Sequence, residues 1–592
     1  MFKSEKNDIL SKLFFRLLPI QVLIIAMGAI NSIVDGSIAG QFIDATTVGV
    51  VGLYFSMVNI LTAIGNTFLG GTAVLCGRYM GAGNLKKTNG IFTLNLFTIT
   101  IVGIVLTLIS LLFSGPLAVF LGASEELKPA LMLYIMGYAV GIIPQLLAQQ
   151  IVAFLQLERQ NVRSYIGIAG MILSNIIGDV LFVAIWKWGV LGLALATSFS
   201  NLVYFVILGQ YYFTKKAQLK FNRKEMDMHD LWPLIKIGFP GAMLVLCLAA
   251  RSLVINRVLL RYAGNDGLSA MSAYNMIGGL FIAYCLGVGA VVRMLVSVFI
   301  GEEDKESIKH IMKIVFTKGA VITIIITILI VLSSGWITQI FFPDKTTHVY
   351  AITKQLMIIY GACIPMIQVC CVFTNYLQAW EHHIYVNILS AFDGFFAMVI
   401  PALLLAPIMG VLGIWLAVPI GIFMTMMLTP LYCIFYWKRW PKNLDEWLFF
   451  PKGFGTNPEN RLDVHIDTVE DVTKTAKTVQ DFCRSHNLDE KTSYYAALCL
   501  EEMAANVVEH GYHKDNKGHS IDLHVIYKED GVVLRMKDDC IPFNPKERAE
   551  IVDSEDPIKN IGVRMVMKIA DEVVYNNLLG LNVLTMTIRS HA

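Results

Sequence analysis

Charge is scarce in this sequence, and the scarcity is uneven. Asp, Glu, Lys and Arg make up 16% of its 592 residues, against 55% hydrophobic residues and a mean hydropathy of +0.60. That balance excludes an ordinary soluble protein. The two signs nearly cancel, and a formal net charge of +2 is too small to imply a nucleic-acid partner. The ten cysteines form no CxxC pair and no metal-ligand spacing, and many stand inside apolar runs. They read as small hydrophobes, not as a disulfide framework. The GxxxxGK[ST] phosphate loop is missing, which excludes a P-loop motor driven by ATP. The opening MFKSEKNDILSKLFFRLLPI lacks a signal-peptide cleavage pattern, so its first apolar run is expected to persist as a membrane helix.

What the sequence has in plenty is long apolar runs. Requiring roughly 18 to 25 apolar residues per span gives twelve, centred near residues 25, 58, 101, 142, 174, 202, 246, 282, 323, 364, 394 and 424. Gly and Pro inside them are tolerated where neighbouring helices satisfy the backbone. Cations gather in alternate loops, at Arg78, Lys86 and Lys87, at Arg159 and Arg163, and at Lys215, Lys216, Lys220, Arg223 and Lys224. Lys438, Arg439 and Lys442 follow the last span. The intervening loops are poorer, which predicts both termini on the cytosolic side of the cytoplasmic membrane, with lipid around the spans.

The twelve spans read as two copies of six. Leu18-Pro19 is echoed by Phe239-Pro240, RYMG at Arg78–Gly81 by VFIG at Val298–Gly301, and Phe154-Leu155-Gln156 by Tyr376-Leu377-Gln378, at offsets of 221, 220 and 222. Duplicated halves around a central cavity are a transporter plan, with access alternating as one half rocks against the other. The expected lobes are 1–224 and 225–440, followed by a linker at 441–459 and a cytosolic domain at 460–592.

Two acids interrupt the apolar runs of the first half. Asp35 lies in span one, and Asp179 follows Asn175 by four residues in span five, which puts amide and carboxyl on one helix face. Ionisable groups at membrane depth mark ion or substrate paths, although an Asn–Asp pair also serves as interhelical glue. Arg251, Arg293 and Asp393 stand in or near apolar runs of the second half, either as structural pairs or as lining of a substrate path. P-x(15)-D in span one, the Gly-rich end of span two running into R-x-x-G, N-x-x-x-D in span five and the opening GFPGAMLVLCLAARSLVINRVL of the second half resemble the multidrug and toxic compound extrusion family, over about residues 10 to 440. The resemblance implies a cation site of Asp35, Asn175, Asp179 and Thr197. It also implies antiport, in which entry of H⁺ or Na⁺ expels a small organic, cationic or amphipathic compound. Carboxylates beside a small amide and a hydroxyl can share one proton or hold one Na⁺.

After the Trp-rich break at YWKRWPKNLDEW, with Trp437 and Trp440 expected at the membrane interface, the composition turns ordinary. The order reads strand, two helices, two strands, lid, helix and a final hairpin, an α+β two-layer sandwich with its own core. Glu502 and Asn506 share a face of the second helix, Asp538 ends a strand in MKDDCIPFNP, and Gly562 opens a helix whose amides can approach a phosphate. E-x-x-x-N followed by HGY, the D-x-x-x-P-F-N-P loop and I-G-V…ADEV resemble the GHKL (Bergerat) ATP-binding fold, and in particular the anti-sigma-factor serine kinases. That resemblance implies ATP and Mg²⁺ as ligands, with Glu502 as catalytic base, Asn506 on Mg²⁺, Asp538 on the adenine and His510 near the phosphates. It also implies a cytosolic partner protein of the anti-anti-sigma kind. Cys540 and Asn560 stand where the family has glycines, which puts turnover in question. The expectation is therefore a cation-coupled exporter with a nucleotide-binding domain that senses or signals. Two other readings stay open: a membrane-tethered serine kinase using the transporter half as a receptor, and a lipid-linked-sugar flippase.

Overall fold

The structure, a computed structural model, describes residues 9–42, 45–121, 123, 125, 127–158, 160–214, 217–512, 519–550 and 561–590. Among the described residues, twelve helical segments are long and apolar enough to cross a membrane: Ile9–Met27, Met57–Gly81, Leu85–Leu112, Lys128–Leu157, Asn161–Ile185, Gly189–Phe213, Met228–Gly264, Ile277–Gly301, Lys305–Phe341, His348–Ala379, His383–Met409 and Val411–Trp437. We number them spans 1 to 12. The chain is a multi-pass membrane protein, and every predicted centre falls within its span.

The repeat is visible in atomic detail where the lobes meet. A Cβ built on Gly81 of span 2 would collide with the carbonyl of Val298 in span 8. One built on Gly301 would collide with the carbonyl of Arg78. Gly81 corresponds to Gly301 and Arg78 to Val298 in the same register, so the contact is reciprocal, as across a two-fold axis. Only glycine lets backbones approach this closely. The loops that follow are also copies. Gly83 and Glu303 both take left-handed backbone, at φ 74° and 55°. Asn84 then caps span 3, accepting from Lys87 N at 3.1 Å, as Asp304 caps span 9, accepting from Ser307 N at 3.3 Å. Arg78 crosses to the other lobe, pairing with Glu381 at 2.7 Å. The lobes are thus locked together at this end.

The C-terminal domain sits on that same end. Its sheet is antiparallel, with β1 (Arg461–Ile466), β2 (Ile521–Lys528), β3 (Gly531–Asp538), β4 (Glu572–Leu578) and β5 (Leu581–Arg589) in the spatial order β1-β2-β3-β5-β4. Val532, Leu534 and Met536 alternate onto one face and pack with Met586 and Ile588 under the helices Val469–Ser485 and Glu490–His510. The helices start on side-chain caps, a reciprocal Thr468–Asp471 box and Asp489. A two-layer sandwich ordinarily leaves the second sheet face to water. Here that face is covered: Leu579, Leu581 and Val583 join the hydrophobic cluster of the membrane helices, and the backbone N–H of Leu579 donates to Leu157 O at 3.0 Å. The segment expected as a linker is packed too, with Phe449 fully buried and the Tyr376 hydroxyl donating to Leu448 O at 2.6 Å.

The glycine contact yields a test. Ser297 is fully buried at the same lobe boundary, so a Ser297→Cys thiol is expected to resist water-soluble maleimides. Adding Gly301→Val wedges the lobes apart, and alkylation at position 297 is expected to rise at least tenfold, measured by peptide mass spectrometry.

Candidate functional site

Two sites emerge, one inside the first lobe and one in the C-terminal domain. In the lobe, the α-helix Asn161–Asp179 passes into a π-helical stretch, Val180–Ile185, directly after Asp179. Such local widening leaves backbone and side chains free to face a neighbour, and it is frequent at functional positions. A Cβ on Gly178 would stand 3.0 Å from that of Ala196. Spans 5 and 6 therefore cross at the residues immediately preceding Asp179 and Thr197. Asp179 is fully buried, Asn175 is 1% exposed and Thr197 is 8% exposed. The Asn175 amide nitrogen has no hydrogen-bond partner among the described residues. The Thr197 hydroxyl donates back to Leu193 O at 3.3 Å. Asp35 belongs to the helix Ile9–Phe42, but its side chain lies outside the described residues. A cavity of about 500 Å³ nearby, lined by Val140, Pro144, Phe182, Ser198, Phe199 and Leu202, is almost wholly apolar and does not include the acid. In the second lobe, Arg293 donates to Gln378 Oε1 at 3.0 Å, and Asp393 stands in another π-helical stretch, Phe392–Phe396.

In the C-terminal domain, Asn506, His510, Asp538 and Cys540 line one cavity between the helix Glu490–His510 and the sheet. Asn506 Nδ2 donates to Glu502 O at 2.6 Å, one helical turn back. Burial pushes the Asp538 carboxyl up to about 6, although Asn582 Nδ2 (2.7 Å) and the Cys540 N–H (3.0 Å) donate to it. Asn582 in turn accepts from Tyr575 and Asn577, which ties Asp538 to both strands of the β4–β5 hairpin. The cavity is small, about 60 Å³, room for a few waters. Ile541, Pro542 and Phe543 wall it off, with the Phe543 N–H donating to Tyr575 Oη at 3.0 Å. Cys540 fits because residue 511 is glycine, on which a Cβ would lie 3.1 Å from the thiol.

Glu502 is placed apart from this cavity, at the start of the helix Ile561–Ile569. A Cβ on Gly562 would fall on Glu502 Oε2, so glycine is required for the carboxylate to reach the helix N-terminus. Asn560 lies outside the described residues. Two groupings escaped the sequence reading. His519, Asp539 and Cys540 gather their ligand atoms within 4.8 Å at the rim of the cavity. At the membrane-facing side, Lys537 meets Glu302 and Asp304. The period-two alternation of β3 was the available signal for the second: it turns Lys537 away from the core that Met536 enters.

A two-lobed, twelve-span bundle with an acid buried in its first lobe, joined to an α+β sandwich that encloses a cavity of its own, defines a transporter fold with a further domain attached. The MatE family matches residues 22–181 and 240–400, more than half of the chain and both repeats, and the chain belongs to it. Residues 467–588 match the histidine kinase-like ATPase domain. The multidrug export protein MepA of Staphylococcus haemolyticus is 24% identical over 64% of this chain and 83% of its own. The probable multidrug resistance protein YoeA of Bacillus subtilis is 20% identical over 74% and 96%. A MATE family transporter of the MOP superfamily solved in an outward-facing conformation superposes with a TM-score of 0.65 at 18% identity, over 72% of this chain and 97% of that one. A MOP superfamily transporter from Pyrococcus furiosus gives 0.64 at 18%, over 72% and 97%. The membrane-part relatives and the ATPase-domain match together account for both modules.

The Asp538–Asn582 link is testable by stability. Asn582→Ala leaves a buried carboxyl short of a donor and frees the hairpin, at a cost of about 1–3 kcal/mol. The expected result is a lower denaturant midpoint for β5, followed by hydrogen exchange.

Proposed function

We propose that this protein exports small organic compounds, cationic or amphipathic, across the cytoplasmic membrane in exchange for H⁺ or Na⁺. In this reading both termini are cytosolic, and the C-terminal domain is an ATP-binding regulator. Residues 1–224 and 225–440 form the two lobes, and 460–592 follow a linker at 441–459. The observation that carries the reading is the fully buried Asp179 beside Asn175, at the α-to-π junction where spans 5 and 6 cross. A carboxylate in such surroundings is costly unless it is protonated or neutralised by an ion. Protonation or Na⁺ binding at Asp179, with Asn175 and Thr197 as neutral oxygen donors and Asp35 as a second acid, changes local charge enough to bias a two-state bundle. The family membership and the export proteins among its relatives support efflux over a flippase. In the domain, Asp538 would take the adenine amino group, Asn506 the Mg²⁺, and the helix opening at Gly562 the phosphates, with Glu502 and His510 beside them. Bound there, ATP supplies binding energy for regulation. Transfer of its phosphate to a partner protein is the second activity to test, through Glu502→Ala.

The exporter reading is tested in vesicles. Efflux of dye cations should follow an imposed pH or Na⁺ gradient in the wild type and lose that dependence in Asp179→Asn. Gradient-driven efflux unchanged in that variant removes the assigned site. The nucleotide reading is tested by pH. Only ionised Asp538 is a full acceptor, and with its pKa near 6 the affinity for a fluorescent ATP analogue should be retained above that pH and fall as pH drops through it. Asp538→Asn should flatten the profile. The same raised pKa means that the folded domain binds an extra proton relative to the unfolded chain between about pH 4 and 6. This carboxyl's contribution to stability is therefore lost, not gained, as pH rises through 6.

A further inference from the structure

The two repeat loops at the closed end are alike in backbone but not in charge. Where the second lobe has Glu302 and Asp304, the equivalent positions of the first lobe hold Ala82 and Asn84. Capping explains an Asn or Asp at 84 and 304. Nothing in the repeat explains two buried acids on one side. Their partners come from the C-terminal domain. Lys537 Nζ lies 2.6 Å from Glu302 Oε2 and 2.9 Å from Asp304 Oδ2, and Arg461 Nη1 lies 3.1 Å from Asp304 Oδ1. Arg535 donates to the backbone of Glu302 at 2.7 Å. The Lys537, Glu302 and Asp304 side chains are 3%, 2% and 1% exposed. Burial alone would push the Asp304 carboxyl up, but Lys537, His524 and Arg461 hold it well below the usual carboxylate range. The domain is therefore bolted to the second lobe by desolvated charge.

It reaches the first lobe by different means. The tip of the β4–β5 hairpin packs Leu579 and Leu581 among the membrane helices and donates from Leu579 N to Leu157 O. Val574 and Asn576 of β4 lie over Gly83, at 3.3 and 3.6 Å from a Cβ placed there. One small domain thus spans both lobes at the end where Gly81 and Gly301 interlock. Rocking the lobes apart there pulls the domain from one side or the other.

The nucleotide cavity is wired into both attachments. Asp538, on the cavity, follows Lys537, on the bolt, along β3. Asn582, which donates to Asp538, stands in the hairpin that holds the first lobe. A nucleoside triphosphate needs more room than about 60 Å³, and Phe543, Tyr575 and Asn582, which line the cavity, also set the hairpin. We infer that the C-terminal domain is a nucleotide-released strap: seated as here it holds the two lobes closed at its end, and a nucleoside triphosphate in the Asp538 cavity loosens the hairpin from the first lobe so that this end can open. The inference rests on the ATP-binding reading of the domain, and its test is independent of transport.

The experiment uses the full chain in lipid nanodiscs. Binding of a fluorescent ATP analogue is measured first, and hydrogen exchange of the peptides covering 577–583 and 299–304 follows on the same samples, with and without MgATP. The expected result is binding with at least a tenfold faster exchange at Leu579. MgATP should also bring at least fivefold faster maleimide labelling of Ser297→Cys between the lobes. In Lys537→Met combined with Glu302→Gln, exchange of the 299–304 peptide and labelling should be high without nucleotide, while Lys537→Arg stays as wild type. Binding that leaves the hairpin unchanged, or slows its exchange, overturns the strap and spares the ATP reading. Absence of binding overturns both. Should the double variant misfold, the wild-type exchange with and without MgATP decides the matter, with Asp538→Asn, which should bind poorly and show no response, as its control.

Discussion

A carboxylate taken out of water needs a proton or a cation, and three buried acids show this chain meeting that demand in different ways. Asp304 is fixed by Lys537 and Arg461, cations supplied from another module. Asp538 keeps its proton to about pH 6, with Asn582 as its principal donor. Asp179, inside the first lobe, is the one for which we propose an exchangeable ion. Fixed pairing makes structure, partial protonation makes a pocket sensitive to its occupant, and an exchangeable ion makes a switch. The distinction lies in what surrounds each carboxyl. A fixed buried pair is costly to form and more costly to break, so Asp304 suits an attachment and would suit a transport site badly.

Much of the architecture was legible because membrane spans and repeats are written in one dimension. Apolar length alone locates the spans, and the RYMG and VFIG copies mark the residues that later interlock. The order of strands and helices in the C-terminal domain was legible as well, whereas the spatial order β1-β2-β3-β5-β4 is supplied by the fold. What stayed hidden depends on a second module arriving. Arg461, Arg535 and Lys537 alternate with core residues as any solvent-facing strand side does, and Glu302 and Asp304 read as ordinary loop charges. Only their mutual burial gives them meaning. The break at 441–459 likewise reads as a linker from its Pro and Gly, whereas its Leu448-Phe449-Phe450 is an anchor.

The candidate sites were legible to different depths. Asn175 and Asp179 were visible from their four-residue spacing. Thr197 stands on the neighbouring helix, one residue past the Gly178–Ala196 crossing of spans 5 and 6, a placement only the fold supplies. Asn506, His510 and Asp538 converge as their motifs imply, but Glu502 faces Gly562 and not the cavity. Asn582, which organises Asp538, belongs to no motif, because an amide in a hairpin is common and its role arises from geometry.

The duplicated lobes are symmetric where they must fit each other and asymmetric where only one can be held. Gly81 and Gly301 are interchangeable in their task; Ala82 and Glu302 are not. A rocking bundle needs its two halves to separate along the shared glycine contact, and a domain fastened by charge to one half and by a hairpin to the other resists that separation. The two attachments also differ in kind. The ionic one is buried and costly to break, while the hairpin tip holds by apolar burial and the backbone bond from Leu579 to Leu157, and sits next to the cavity. In the strap we infer, a nucleotide in that cavity acts on the hairpin through Asn582, so the strap stays with the second lobe and opens over the first.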